Sequence, residues 1–491
     1  MGGITSLFAD KNTIMSACAN MSTAYNLTIV SYALVIANGT YPDKDMSSSI
    51  KTAALVGAIF GQLSFGYIGD CLGRSKAMFL TMAFTLGGAL VSAASSNVGH
   101  SDPYTWLTAS RFILGIGVGG VYPLAATVAA ESSTSIAGRG RQVSAVFSTQ
   151  GIGFVLCPLV IMLCTVIFPA ETGAQGRCDS LKLGKGCNDS AWRLALGLGA
   201  LPGLLMLPFR TEDKKTFKGN SNFIADICNR EHWWSLCGTA GGWFLFDITF
   251  YGNSLFAPTV LQNVFDGGPG NKTRNSINTQ MVHNFLLFLI ALPGYWVATY
   301  LMDSWGRKKI QKFGFFCMMV TYAILAGCLH GGVTNGPLLL MIYGLTFFFS
   351  NFGPNSTTFI LPSESFPAEC RASLNGFSAA MGKTGAAIGS AAFKPLSNHI
   401  GIPSTLGICA GISLLGCIVT QIFIEDRRGM AMKGDEDEGD KGALGDKDAE
   451  AKKGVAAGAG SIELSEAVCK SCGTPSEADK ANCSNCGSKR S

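Results

Sequence analysis

Three polar side chains lie on one face of a long apolar segment in the second half of the chain. Trp243, Asp247 and Tyr251 are spaced four residues apart, so a helix places them on one stripe. An indole N–H, a carboxylate and a phenol are costly at membrane depth unless they face a cavity. Hydrogen-bond donors suit the oxygens of an oxyanion, and one carboxylate can accept the proton that a protonated oxyanion carries. Further polar residues able to join such a site are Tyr122, Gln150, Asn355 and Lys383.

The chemistry of these groups suggests their roles. Tyr122, Gln150 and Asn355 can donate hydrogen bonds, and Asp247 can accept one. Lys383 either balances a bound anion or pairs with Asp247. Structural alternatives stay open, because a single aromatic member can be an ordinary packed ring and the acid with the lysine can be a purely structural pair.

Four cysteines near the C-terminus form a second group, one that could bind a metal ion. Their pattern is Cys-x2-Cys-x10-Cys-x2-Cys, with a glycine after each pair: Cys469, Cys472, Cys483 and Cys486. Paired knuckles of this kind present four thiolates to tetrahedral Zn²⁺, and the pattern resembles a short zinc ribbon. The alternative is two redox-active pairs, although a cytosolic location disfavours stable disulfides. We expect structural zinc here, in a module that can dock a cytosolic protein partner.

The composition indicates that the body of the chain lies in a lipid bilayer. Of 491 residues, 48% are hydrophobic and only 14% are charged, with a mean hydropathy of +0.30, whereas about 25% charged residues is typical of soluble proteins. This excludes an ordinary soluble enzyme, and the sequence shows neither a Ser/His/Asp arrangement nor a phosphate-cradling glycine loop. The net charge of +5 gives no indication of a nucleic-acid partner.

Apolar runs of about 20 residues, the length that crosses a bilayer, occur twelve times in two groups of six. The sequence therefore predicts an all-α integral membrane protein with two six-helix halves. The predicted spans are 13–37, 51–70, 77–97, 107–131, 143–168, 191–209, 234–263, 281–302, 310–330, 336–361, 375–396 and 404–424. The predicted domains are an N-terminal half 1–210, a cytoplasmic linker 211–232, a C-terminal half 233–425, a disordered charged tail 426–464 and the zinc-ribbon-like module 465–491.

Basic residues beside the spans predict the orientation. Arg74, Arg139, Arg307 and Arg371 fall on one side, which predicts that this side and both termini are cytoplasmic. The opposite loops carry three sequons for N-glycosylation and two cysteines able to form a disulfide in an oxidising compartment. The sequons begin at Asn38, Asn188 and Asn271, and the cysteines are Cys178 and Cys187. These features favour the plasma membrane and leave an endomembrane open.

The turn Asp-x-x-Gly-Arg closes both the second and the eighth predicted span. It contains Asp70 and Arg74 in the first half and Asp303 and Arg307 in the second. The glycine allows a tight turn, and the charges can pair across helix ends to hold an inner gate shut. The alternative, basic residues beside an ordinary turn, is disfavoured because the pattern repeats at matching places. We also assign gating to residues near the same face: Glu131, Glu364 and Arg371.

These turns, with Arg111-x-x-x-Gly-x-Gly-x-Gly-Gly on the fourth span, resemble the signatures of the major facilitator superfamily. The stripe at 243–251, the segment Gly-Pro-Asn-Ser-Thr-Thr-Phe-Ile-Leu-Pro-Ser-Glu-Ser-Phe-Pro at 353–367 and the run from Asn375 through Lys383 resemble the phosphate:proton symporters of fungi and plants. The resemblance extends to about residue 425 and implies two rocking halves around a site near the bilayer midplane. It further implies that phosphate is bound by Tyr122, Gln150, Trp243, Asp247, Tyr251 and Asn355.

The chain departs from that family in its N-terminal half. The family pattern Thr-Asp-Ala-Tyr-Asp reads here as Ser-Thr-Ala-Tyr-Asn, with Thr23 and Asn26 in place of the two aspartates. Two further acids are replaced by Thr81 and Val121. Proton coupling then depends on Asp247. Sodium coupling through the neutral oxygens of the first and third spans, and downhill transport without coupling, stay open.

Two alternatives to phosphate transport also stay open. One is transport of another small anion on the same scaffold, because one fold serves many substrates. The other is a phosphate receptor that binds without net transport and signals through its tail.

Overall fold

The computed structural model describes residues 10–40, 47–95, 103–133, 138–168, 189–206, 223–266, 277–428 and 430. These residues belong to one compact unit, and all their regular secondary structure is helical. Several predicted features lie outside the described residues: Cys178, Cys187, Asn188, Asn271, Cys469, Cys472, Cys483 and Cys486.

The first half contributes six spans in chain order. The first five are Lys11–Thr40, Ser47–Leu72, Arg74–Ala93, Pro103–Glu131 and Arg139–Ile167. The sixth is interrupted, with a single 3₁₀ turn joining two helical pieces, and comprises Asp189–Gly197, Leu198–Ala200 and Leu201–Met206. The third span starts directly after Gly73, whose φ of 97° is the left-handed backbone that a tight turn requires.

The second half repeats the arrangement after a short helix, Phe223–Cys228. Its seventh to tenth spans are Arg230–Ser254, Ile277–Trp305, Arg307–His330 and Gly336–Ser365, the first of these followed by the helix Ala257–Asp266. The eleventh and twelfth spans lie within Arg371–Phe423, which is broken at Gly401, where φ is 82°. The predicted single span 234–263 is therefore wrong at its end, because the helix breaks after Ser254.

Eight helices of the described residues qualify as membrane spans by length and apolar composition alone. The helix Arg371–Phe423 counts once among them although it contains two spans. The first span is too polar to qualify, because it carries a run of small polar side chains that are buried inside the protein and not exposed to lipid. They are Asn12, Thr13, Ser16, Asn20, Ser22, Thr23 and Asn26.

The tenth span breaks in its middle, where it carries a candidate ligand. A π-helical turn, Asn351–Asn355, separates Gly336–Ser350 from Ser356–Ser365. Pro354 lacks the N–H that a regular helix needs, and Gly353 has the non-helical angles φ −100° and ψ −110°. The Ser356 hydroxyl donates to the Asn351 carbonyl at 2.6 Å. The Asn355 amide donates to the Asn351 side-chain oxygen at 2.9 Å, so the two ends of the turn hold each other in place.

Glycines allow spans within each half to approach backbone to backbone. In the first half, Gly115 and Gly119 of the fourth span face the carbonyls of Ala54 and Ala58 on the second span. In the second half the seventh and eleventh spans meet in the same way, with Gly385 and Gly389 against the carbonyls of Phe244 and Ile248. Small residues are the usual means of close helix packing in lipid.

This packing makes Gly119→Ala a test of the fold. A methyl group at that position meets the Ala58 carbonyl, so we expect a loss of about 1–3 kcal/mol of stability, as for overpacking elsewhere. The melting temperature of the full chain in detergent measures this. Gly87→Ala is the matched control, since nothing lies within 4 Å of the added atom. Equal melting temperatures for the two variants contradict the packing assigned here.

Candidate functional site

The seven predicted ligand residues converge on one enclosed position between the halves, which we call the central cluster. They come from the fourth, fifth, seventh, tenth and eleventh spans. None is more than 5% exposed, so the site is closed to solvent on both sides: Tyr122, Gln150, Trp243, Asp247, Tyr251, Asn355 and Lys383.

A buried ion pair occupies the second-half side of the central cluster. The Lys383 ammonium donates to the Asp247 carboxylate at 2.8 Å. The same ammonium lies 4.7 Å from the ring centre of Tyr122 and 4.4 Å from that of Tyr251. Two aromatic faces therefore stabilise the cation beside its carboxylate partner. This pairing is one of the two roles that the sequence left open for Lys383.

Polar contacts in the central cluster cross from one half to the other. The Tyr122 hydroxyl donates to Gln150 at 3.3 Å, and its oxygen lies 3.5 Å from that of Tyr251. The Gln150 amide in turn donates to the Tyr295 hydroxyl at 3.4 Å. The Asn355 amide donates to the same hydroxyl at 2.8 Å. The two halves thus meet through hydroxyl and amide groups that can each exchange their partner for a ligand oxygen.

Tyr295 is a member of this site that sequence reasoning missed. It is fully buried on the eighth span and accepts hydrogen bonds from two of the predicted ligands. A tyrosine in an apolar, aromatic-rich helix looks like a packing residue. The one available signal is its place directly after the helix-weakening pair Pro293 and Gly294.

Aromatic rings enclose the polar groups. Trp243 meets Tyr122 edge-on with ring centres 6.4 Å apart, and Phe359 stands edge-on to Tyr122 at 6.3 Å. Phe359 also stacks on Phe147 at 4.4 Å. Such a wall excludes water and raises the strength of every electrostatic contact inside it. With several donors, one acid and one cation, the arrangement can bind a small oxyanion together with a proton.

A charged network closes the membrane face that carries the Asp-x-x-Gly-Arg turns, which we call the basic face. In the first half, Arg74 pairs with Asp70 at 2.5 Å and with Glu131 at 3.3 Å. Glu131 also lies 3.6 Å from Arg371 of the second half. The predicted pairing of the first turn is therefore observed, and it extends across the interface.

The second half repeats this network, with the contributions of the two halves exchanged. Arg307 pairs with Asp303 at 3.1 Å and with Glu364 at 2.7 Å. Glu364 also lies 3.4 Å from Arg139 of the first half. Each half thus ends a span with a glutamate that binds one arginine of its own half and one of the other. The cross-half role of Arg139 was not predicted, because the sequence marked that residue only as a basic flank.

Both turn aspartates also cap a helix of the opposite half. Asp70 accepts hydrogen bonds from the backbone N–H and the hydroxyl of Ser373 at 2.7 and 2.6 Å. Asp303 accepts one from the backbone N–H of Arg141 at 3.0 Å. Each amide belongs to the third residue of its span, where the first-turn N–H groups lack helical partners and favour negative charge.

The opposite face is also closed by contacts between the halves. The Lys51 ammonium of the second span donates to the Leu255 carbonyl at 2.7 Å, just after the end of the seventh span. It lies 4.1 Å from the ring centre of Phe256. The central cluster is therefore enclosed between closures at both membrane faces.

The proposed coupling residues of the first span lie within the N-terminal half. The Asn26 amide donates to the carbonyls of Ser22 at 3.0 Å and Gly199 at 2.8 Å. The fully buried Arg111 donates to the Asn26 carbonyl at 3.1 Å. Among the described residues, the Thr23 hydroxyl and two nitrogens of the Arg111 guanidinium have no hydrogen-bond partner.

The first predicted glycosylation site is not in a loop. Asn38 lies in the last turns of the first span, Lys11–Thr40. Its amide donates to the Ser47 hydroxyl at 3.0 Å, and its carbonyl accepts a hydrogen bond from Tyr104 at 2.8 Å. The placement in a loop is therefore corrected, because the helix continues two residues past the asparagine.

A thiol at the basic face is inert. Cys370 lies between the tenth and eleventh spans, and burial, with Asp226 nearby as a lesser cause, raises the pKa of its thiol to about 12. The thiol is therefore protonated at neutral pH and a poor nucleophile.

The sequence matches the family model of the Major Facilitator Superfamily over residues 14–390, well over half of its length. The chain therefore belongs to the Major Facilitator Superfamily. Two solved structures share its fold: the proton:xylose symporter XylE, with a TM-score of 0.68 over 87% of this chain and 97% of that one, and the human organic anion transporter MFSD10, with 0.61 over 84% and 99%. Both are 16% identical, and they confirm the predicted architecture of two six-helix halves.

Curated relatives within this superfamily are named inorganic phosphate transporters. Probable inorganic phosphate transporter 1-6 of Arabidopsis thaliana is 34% identical over 78% of this chain and 82% of its own length. Inorganic phosphate transporter PHO84 of Saccharomyces cerevisiae is 29% identical over 82% of this chain and 79% of its own length. These relatives are transporters, which confirms the expectation of a transport protein and not an enzyme.

The caps at the basic face generate a test. Asp70→Asn removes the charge that binds Arg74 and caps the eleventh span, so we expect amide hydrogen exchange at 371–376 to rise about tenfold, as for loss of a charge-assisted hydrogen bond. Adding Asp303→Asn extends the increase to 139–144. Exchange mass spectrometry of the full chain measures both, with the exposed Glu425→Gln as control. Unchanged exchange in both segments contradicts the assigned role.

Proposed function

We propose that this chain transports inorganic phosphate across the membrane by alternating access. The observation that carries the proposal is the central cluster, in which both halves supply polar side chains to one enclosed position. The names of the curated relatives support phosphate as the cargo. Opening toward one face breaks the contacts at that face and keeps those at the other, so the site faces one side at a time.

The donor set of the central cluster suits dihydrogen phosphate. Its oxygens accept hydrogen bonds from Tyr122, Gln150 and Asn355, each of which now donates to another side chain. Its own hydroxyls need an acceptor, which Asp247 supplies. The ligand therefore replaces existing side-chain contacts, and buried polar groups stay satisfied in both states.

Charge balance links phosphate to a proton. The pair Asp247 and Lys383 is neutral as it stands, so a bound monovalent anion leaves one uncompensated negative charge in a low-dielectric site. Protonation of Asp247 removes that charge, and Lys383 then balances the anion. We propose proton-coupled symport through this one acid.

Sodium is the second candidate for the coupled ion. The Thr23 hydroxyl and the Asn26 side-chain oxygen have no hydrogen-bond partner among the described residues, and neutral oxygens of this kind bind hard cations. The buried Arg111 beside Asn26 opposes a second positive charge there. We therefore rank the proton first.

Uptake of labelled phosphate into proteoliposomes, with proton and sodium gradients imposed separately, tests the central cluster. We expect Asp247→Asn to lose proton-driven uptake at least about tenfold, and Lys383→Gln to lose uptake because a buried carboxylate is left unpaired. The double variant should regain stability without regaining transport, which distinguishes an effect on folding from an effect on transport.

Exposed Glu425→Gln and Lys76→Gln serve as controls. Normal proton-driven uptake by Asp247→Asn removes the role of that acid, and no uptake by the natural chain favours another anion or a receptor.

The neutral first span provides a second test of coupling. Asn26→Asp places a carboxylate beside Arg111, which has two nitrogens free of hydrogen bonds among the described residues. We expect uptake to depend more steeply on external pH, because a second buried acid now titrates during transport. Asn229→Asp is the control, since aspartate caps a helix as well as asparagine does. An unchanged pH profile in Asn26→Asp argues against this route.

The proposed setting is the plasma membrane, with the basic face and both termini in the cytoplasm. The clustering of arginine at the basic face supports this orientation. We propose N-glycosylation on the opposite side, at Asn188 and Asn271 and at Asn38 once its hydrogen bond to Ser47 opens. We propose a disulfide between Cys178 and Cys187 on the same side.

We propose that the C-terminal tail carries a structural zinc ion and docks a cytosolic protein partner. The support is the spacing of the four cysteines and the charged, apolar-poor composition before them. The proposed division of the chain remains 1–210, 211–232, 233–425, 426–464 and 465–491.

A further inference from the structure

An open cleft lies on the outer surface of the second half, near the basic face. It has a volume of about 520 Å³ and is formed by the ends of the eighth, ninth and twelfth spans. We call it the Trp305 cleft. Its lining is Ser304, Trp305, Lys309, Lys312, Phe313, Phe316 and Cys417.

One wall of the Trp305 cleft is apolar and rigid. Trp305, Phe313 and Phe316 are 43%, 44% and 51% exposed, which is a large aromatic surface for one site. Trp305 and Phe313 meet edge-on at 6.1 Å, and both pack edge-on against the buried Phe352. Their position is therefore set by the protein, and tryptophan at a span end is typical of the membrane interface.

The other feature of the Trp305 cleft is positive charge. Lys309, Lys312, Phe313 and Phe316 share one face of the ninth span, with Lys309 nearest the basic face. Lys312 donates to the Gln421 side-chain oxygen at 2.9 Å. That neutral group leaves the charge of the lysine uncompensated and two of its donors available.

A third cation borders the same site. Arg428 donates to the backbone carbonyl of Ser304 at 2.5 Å, again a neutral acceptor. The cleft therefore combines apolar walls toward the membrane interior with cations toward its surface. This gradient matches the two parts of a phospholipid.

The internal repeat shows that this combination is not inherent in the fold. The Asp-x-x-Gly-Arg turns align Arg307 with Arg74, so Lys309 corresponds to Lys76. The positions that match Trp305, Lys312 and Phe316 hold an apolar residue, an aromatic residue and a small residue: Leu72, Phe79 and Ala83. The first half thus keeps one lysine and lacks both the second cation and the indole.

We propose that the Trp305 cleft binds an anionic glycerophospholipid from the leaflet at the basic face. The phosphate group of the lipid lies between Lys309 and Lys312, and an acyl chain runs along Phe313, Phe316 and Cys417. Clustered basic residues beside membrane spans attract anionic lipids, and the aromatic walls provide the contact that holds the chain. The inference goes beyond phosphate transport and depends only on the membrane fold.

Quenching of Trp305 fluorescence by brominated lipids tests this occupant. The full chain is reconstituted in phosphatidylcholine with increasing fractions of brominated phosphatidic acid or brominated phosphatidylcholine. The Trp305-dependent part is the difference from Trp305→Phe. We expect half-maximal quenching at about thirtyfold lower fraction for phosphatidic acid, the factor that two lysines near anionic lipid predict.

The variants make the test specific. Lys309→Gln with Lys312→Gln should abolish the preference, and both side chains are exposed, so folding should be preserved. The repeat-related Lys76→Gln should keep it. Equal quenching by the two lipids, or a preference that survives the double substitution, overturns the proposal. Loss of the preference on adding 10 mM inorganic phosphate, about a hundredfold above a site of 100 μM affinity, assigns the site to the free anion and also overturns it.

Discussion

The buried pair of Asp247 and Lys383 is the interaction on which the rest of the structure depends. Two unit charges in a dry interior are tolerated only when they compensate each other and their remaining hydrogen-bonding capacity is used. The surrounding phenols provide that environment, since two of them present their faces to the ammonium. An anion that enters must rearrange this charge balance, so the proposed coupling of binding to a proton involves the same few atoms.

Both charged contacts and close backbone packing hold the two halves together. At the basic face, Glu131 and Glu364 each bind one arginine from either half, and the turn aspartates cap helices across the interface. Spans meet through glycine and backbone contact within each half, and the second and eleventh spans do so across the halves, where Gly376 faces the Gln62 carbonyl. Dispersion contacts of that kind lose about a quarter to a half of their attraction if the helices separate by about an ångström. The charged contacts between the halves can be replaced by contacts with water, whereas the glycine contacts depend on close approach of the backbones.

The sequence by itself carried most of the architecture. Two six-helix halves were predicted from the twelve apolar runs, the arginine-rich flanks and the repeated Asp-x-x-Gly-Arg turn. This was possible because the bilayer requires long apolar helices, and their length and ends are visible in neighbouring residues of the sequence. It also named the central cluster, since polar side chains in apolar helices stand out at single positions. The apolar runs placed the first span correctly despite its buried small polar residues, but they missed the break after Ser254.

The tertiary structure decided which of those residues act together. Lys383 and Asp247 are far apart in sequence, and only packing of the eleventh span on the seventh chose pairing between the roles open to the lysine. Tyr295, Arg139 and Ser373 joined their sites in the same way, each as an unremarkable residue of its own helix. The Trp305 cleft likewise needs three span ends to meet. Spacing along a helix fixes which side chains share a face, but the face of another helix that they meet is set by packing across the whole chain.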